Sequence, residues 1–234
     1  MGVTRFQYGV STTHTRDPLS NFGLPDPSKY VSYFNDFIAD KDYNDTTEYI
    51  LTQTGGTVAV TASAQHGLLT ISTGATLNNH GFLQLRGFPV IPTIGKKIFF
   101  KTRLKVNILG SASIITGLQN IDTTPLDFTD GIIFSRATTA TTWTAMCRRD
   151  ATTGATQVTG LGVLGTDIFT TLGFYYDGNR SVEFFIDNRK VATINAGINI
   201  FLPDTNLTPS FGIQTTEAVA KILTIDYIFM ACER

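Results

Sequence analysis

From about residue 48 onward the chain is a succession of short runs rich in Thr, Ile, Val and Phe, separated by turn residues. EYILTQT, TVAVTA, GLLTIST, GFLQLRG, KKIFFKTRLKV, SIITGLQ, DGIIFSR, TWTAMCR, TQVTG, IFTTLGFYYD, SVEFFID, KVATI, LTPSFGIQ and KILTIDYIFM all read as strands. No helix of ordinary length interrupts them, which excludes a parallel βαβ sheet. In Lys97 to Val106 the alternation is clean: Ile98, Phe100, Thr102, Leu104 and Val106 face one way, and Phe99, Lys101, Arg103 and Lys105 the other. In Ile222 to Met230 both faces are apolar, which predicts a strand covered on both sides by the N-terminal segment or by a partner. So many short strands predict an all-β, antiparallel β-sandwich of the jelly-roll kind.

A chain of 234 residues, 42% of them hydrophobic, can bury a large core without metals or disulfides. Net charge is −1, from 18 basic and 19 acidic residues, which argues against binding nucleic acid through a broad basic surface. Cys147 and Cys232 sit in apolar strand-like runs and read as buried free thiols. MGVTRFQYGV lacks the apolar core of a secretory signal, and no run approaches the ~18 apolar residues of a membrane helix. No membrane partner is expected.

Residues 1–45 differ from the rest and are read as an N-terminal arm, with residues 46–234 as one sandwich domain. The arm holds Pro18, Pro25 and Pro27, and GLPDPSKY should be extended or turned. Tyr30, Tyr33, Phe34 and Phe37 fall at helical spacing, which predicts a short helix within residues 28–39. So many aromatics imply burial, either back on the arm's own domain or on a neighbouring subunit. Arg5, Phe6, Tyr8, Tyr30, Tyr33 and Phe34 are the candidate partner contacts, because Arg and aromatics are the usual interface anchors.

DGN at Asp177–Asn179 and DNR at Asp187–Arg189 are turn signals that frame a three-stranded meander, GFYYDGNRSVEFFIDNRKVA. This segment resembles the meander of concanavalin A-like sandwiches, laminin-G-type domains included, and implies a sheet able to present sugar or protein ligands. Laminarinase-type glucanases share that sandwich, with an acid pair on a strand reading E-x-D-x-(x)-E. The best match here runs Glu183 to Asp187, with Phe185 in the central position. On a strand, residues i and i+4 lie ~13 Å apart, beyond the roughly 5–10 Å a glycosidase pair needs. Asp187 is better read as a turn residue, and no enzymatic activity is expected.

Asp122, Asp127 and Asp130 make a denser acidic cluster in IDTTPLDFTDG. Alternate oxygens on such a loop suit calcium, but Asp is common in turns for its own backbone bonds, and no helix frames the loop. No metal or cofactor is expected. His14, His66 and His80 are isolated, GLGVLG lacks the Lys-Ser/Thr of a phosphate loop, and Trp143 reads as core because Ala145 and Cys147 share its face.

Over its whole length the chain resembles a family of tailed-bacteriophage virion proteins. The segments that carry this are MGVTRFQYGVST, LPDPSKY, YFNDF, DTTPLDFTDGIIF, the meander, and LTPSFGIQTTEAVAKILTIDYIFMACER, in that order. The resemblance implies a structural protein of the particle, assembled in the host cytoplasm. A head decoration or cement role follows, bridging subunits of the major capsid protein, and threefold positions imply a homotrimer. The alternative is a lectin-like, carbohydrate-binding module on a virion surface or tail, in which Tyr175, Phe185 and Trp143 would meet the glycan.

Overall fold

The computed structural model describes residues 29–38, 48–61, 67–87, 89–151, 156–179, 181–195 and 201–234. Its strands are β1 (Tyr30–Asn35), β2 (Tyr49–Thr54), β3 (Thr57–Thr61), β4 (Leu68–Ser72), β5 (His80–Leu85), β6 (Ile98–Val106), β7 (Ala112–Gln119) and β8 (Gly131–Arg136). They continue with β9 (Thr142–Arg148), β10 (Thr156–Val163), β11 (Thr170–Tyr176), β12 (Ser181–Ile186), β13 (Arg189–Asn195), β14 (Thr208–Thr215) and β15 (Ile222–Glu233). One turn of 3₁₀ helix, Pro125–Asp127, lies between β7 and β8. Among the described residues no helix is long and apolar enough to cross a membrane.

The strands form two antiparallel sheets, as the alternation requires. The first runs β13-β12-β11-β6-β15-β4-β3, with β1 also paired to β15; the second runs β10-β9-β8-β7-β14-β5-β2. The long β15 is shared end to end along one edge: Ile222–Ile225 pair with β4, and Ile228–Glu233 with β1. The turn chemistry is as the sequence demands. Asp187 and Asn188 take φ values of 48° and 63°, the left-handed pair of a two-residue hairpin between Ile186 and Arg189. Asp177 Oδ1 accepts from the amides of Asn179 (2.6 Å) and Ser181 (3.0 Å), closing the DGN turn.

Every second side chain points between the sheets, and aromatic rings bridge them. Phe100 stacks on Phe174 at 5.4 Å within the first sheet, and Phe184 meets Phe134 of the second edge-on at 5.2 Å. Trp143 is fully buried against Phe134, in the core as its small neighbours imply.

The predicted helix within residues 28–39 is corrected. Tyr30–Asn35 is a strand, because the open edge of β15 supplies a ladder of partners that an isolated helix of this length lacks. Its period is two: Tyr33 turns into the core, while Phe34 points out and is 61% exposed. The second apolar face of β15 is accounted for in part: Ala231 is buried in a cluster with Phe99, against Tyr30, Tyr175 and Phe229.

Candidate functional site

The outer face of the second sheet carries its own apolar cluster. Phe82 of β5, Ile115 of β7 and Ile133 of β8 are buried there although they point away from the main core. Residues 120–130 lie over this face and are fastened to it. Gln84 donates to the Asn120 carbonyl (3.0 Å), and its own carbonyl accepts from the Asp122 amide (3.0 Å). Gln119 Nε2 donates to the Pro125 carbonyl (3.2 Å), and Asn120 and Asp130 exchange two bonds at 3.0 Å. The loop thereby sets Leu126 and Phe128 against Ile133 and Met146. Phe128 lies so close over Gly131 that a Cβ there would meet its ring at 2.9 Å, and Phe82 covers Gly212 in the same way.

Between this loop and the strands runs a groove of about 240 Å³. Ile115, Ile133 and Met146 form its floor, Leu126 and Phe128 its wall, and Ser113, Ser135 and Arg148 supply polar groups. An apolar bed with a few polar groups that fix orientation is the ordinary make-up of a small-molecule site. Arg148 spans the loop side, donating to Asp127 at 3.1 and 3.2 Å and lying 5.4 Å over the Phe128 ring.

The acidic residues read as one cluster part company. Asp122 accepts from the amide (2.8 Å) and hydroxyl (3.0 Å) of Thr124, Asp127 pairs with Arg148, and only Asp130 reaches other carboxylates. Asp130, Asp150 and Asp204 bring carboxylate oxygens within 4.8 Å of one another. Burial raises the Asp130 pKa, the Asp150 amide opposes the rise, and the charges of Asp150 and Asp204 add to it. These three are where a cation could be held, but Arg149 already bonds Asp150 (3.3 Å) and Asp204 and supplies the positive charge.

The other sequence-derived candidates lie elsewhere. Glu183 faces out of the first sheet and pairs with Lys190 at 3.0 Å. Asp187 sits in the β12–β13 turn and fastens it to β11, accepting from the Thr171 amide at 2.9 Å. Tyr175 and Phe185 are half-buried on the same outer face, and burial, with the charges of Asp177, Glu233 and Glu183, pushes the Tyr175 hydroxyl up to about 12. Trp143 cannot be a sugar platform, because it is closed inside the core. Tyr33 spends its hydroxyl within the molecule, 2.6 Å from Tyr49 Oη and donating to Glu48 at 2.9 Å. Tyr30 joins the Phe99 cluster, and Phe34 packs its ring 6.5 Å from Phe229. Arg5, Phe6 and Tyr8 lie outside the described residues. The groove itself went unread, although SIITGLQ and DGIIFSR do alternate Ser113, Ile115, Ile133 and Ser135 onto one face.

No family model and no curated protein matches the sequence. Solved structures do match the fold. An endo-1,3-β-glucanase from Streptomyces sioyaensis superimposes with a TM-score of 0.66 at 10% identity, over 88% of this chain and 98% of the other. The potassium-bound Emp46p carbohydrate recognition domain gives 0.60 at 13% identity, over 84% and 94%. A peanut lectin, solved with a nine-residue peptide, gives 0.59 at 12% identity, over 87% and 97%. The architecture is thus the concanavalin A-like sandwich of lectins and glucanases. This corrects the expectation that the chain is no enzyme: that expectation rested on the spacing of Glu183 and Asp187 with Phe185 between them, and a structure that shares the fold at 0.66 is an endo-1,3-β-glucanase.

Proposed function

We propose that this chain is a carbohydrate-binding sandwich carried on a bacteriophage particle, with the groove between β7, β8, β9 and residues 120–130 as the sugar site. The groove carries the reading: an apolar floor to receive one face of a sugar ring, bordered by Ser113, Ser135 and Arg148 as hydrogen-bonding groups. Named lectin and carbohydrate recognition domains among the similar structures support it, and the ordered resemblance to virion proteins supports the location. A glycan array, followed by calorimetric titration of its hits, tests the proposal. Binding that is lost in Ser135→Tyr, which fills the groove, is the expected result. An array without hits, or binding untouched by that substitution, overturns it. Measuring reducing ends after incubation with each bound glycan tests turnover in the same samples.

A second reading is a capsid decoration or cement protein that contacts the major capsid protein as a homotrimer. Phe34 and Ile38, 61% and 70% exposed on the stretch that carries β1, favour it, since apolar side chains on a strap-like segment suit burial against a neighbour. Particles that retain the full chain but shed its double variant Phe34→Ser with Ile38→Ser would support this role. Equal retention of both would count against it.

A further inference from the structure

We propose that the sandwich holds a small monovalent anion, of the halide kind, between its sheets at the end of β8, where Arg136 and Trp143 both donate to it. The two residues are cross-strand neighbours. Phe134 pairs with Ala145 and Ser135 with Thr144, so the next step of the same antiparallel register sets Arg136 opposite Trp143. Side chains so placed stand about 4.5–5.5 Å apart at Cβ. They share the inner face: Phe134, two residues before Arg136, lies in the main core and meets the Trp143 ring edge-on at 6.3 Å. Arg136 is 3% exposed and Trp143 is fully buried. Each nevertheless carries a buried donor with no acceptor, Nε of the guanidinium and Nε1 of the indole. An unpaired buried donor forfeits the whole cost of leaving water, and two of them on adjacent strands have one common remedy, an acceptor lodged between them.

Charge decides what that acceptor is. The Arg136 guanidinium spends Nη1 on the Ala112 carbonyl (2.8 Å) and Nη2 on the Leu109 carbonyl, both neutral dipoles. Among the described residues no carboxylate forms an ion pair with it. Burial lowers its pKa, as expected of a cation without a counter-charge. The carboxylates of Asp130, Asp150 and Asp204 gather at the opposite end of β8, with about 20 Å of strand between Asp130 and Arg136. A water would satisfy both donors but leave the buried charge uncompensated, which is costly; an anion answers both needs. The donors also set its size. Indole offers one N–H and guanidinium only donors, beside an apolar core, so a single spherical acceptor fits. A sulfate or phosphate would bring further oxygens with nothing to receive. The bond to Leu109 is only part-buried, so the site lies just beneath the β6–β7 connection and within short reach of solvent.

Trp143 is the chain's single tryptophan, so its fluorescence reports on this site alone. The full chain is dialysed free of halide into sodium gluconate and titrated with sodium chloride at constant ionic strength. Above half-saturation the melting temperature should rise by about 3–5 °C for each tenfold increase in chloride, because an ion that binds only the folded chain stabilises it by mass action. Iodide, a heavy-atom quencher of indole, should dim Trp143 along a saturable curve, and chloride should restore the signal by competition. Acrylamide should leave that signal unchanged, because the ring is closed inside the core. Arg136→Met, shown to be folded by circular dichroism, should lose both halide effects. If that variant does not fold, the competition between chloride and iodide on the unaltered chain decides. Equal melting temperatures in gluconate and chloride, or iodide quenching that is absent or linear in concentration, overturn the proposal and leave a water to join the two donors. A chloride effect that Arg136→Met keeps in full marks binding at the surface and overturns it as well.

Discussion

Removing one hydroxyl, in Tyr33→Phe, asks whether β1 belongs to the body of the sandwich. Tyr33 sits on β1 of the first sheet, and its hydroxyl lies 2.6 Å from that of Tyr49 on β2 of the second, donates to Glu48 (2.9 Å) and accepts from Asn35 Nδ2 (3.2 Å). Tyr49 is fully buried, in edge contact with Phe211 at 5.8 Å. A neutral hydrogen bond contributes about 0.5–1.5 kcal/mol and one to a carboxylate about 1.5–3. Tyr33 is only partly buried, so the low end of the sum over these three bonds applies, and the variant should lose about 2.5 kcal/mol. With a urea slope of about 2 kcal/mol per molar, the unfolding midpoint should fall by roughly 1 M. The readout is fluorescence of Trp143, which lies in the core and so reports global unfolding. An unchanged midpoint and slope would refute the reasoning, because β1 would then be a strap that comes away before the sandwich unfolds.

Other outcomes follow from the same structure. Asp130→Asn should be stabilising, and increasingly so with pH. The raised pKa means that the stability Asp130 gives the folded state is full below the unfolded carboxylate value and lost as pH rises through the folded one, so the advantage of the variant is absent in acid and opens above it; melting temperatures across pH 3–8 check it. Gly212→Ala should cost several kcal/mol, by thrusting a methyl group into the Phe82 ring, measured by urea unfolding. Cys147, fully buried with its thiol pushed up by burial, should react with a thiol reagent only at the rate of global unfolding, whereas the half-buried Cys232 should react first.

Much of the fold is legible because strand alternation is local. Lys97–Val106 and Ser181–Ile186 state their inner and outer faces residue by residue, and DNR and DGN specify their turns through the two side chains that tolerate or cap them. β1 is not legible for a long-range reason. YVSYFN is ambiguous by periodicity, and what decides it is the free edge of β15, some 190 residues later. The same holds for the groove. Ile115 and Ile133 look like residues that strayed to the wet face until the 120–130 loop lies over them, and the loop is held there by Gln84, distant in sequence. The close spacing of Asp122, Asp127 and Asp130 does not bring them together, because Asp122 is spent on Thr124 and Asp127 on Arg148. Asp150 and Asp204, which do meet Asp130, arrive from other loops.

The proposed sugar site is tested most directly by methyl NMR of the full chain, titrated with a glycan that binds. Shifts centred on the methyl groups of Ile115, Ile133 and Met146 are predicted. Shifts confined to the first sheet, around Ile222 or Val191, with those three unmoved at saturation, would contradict it.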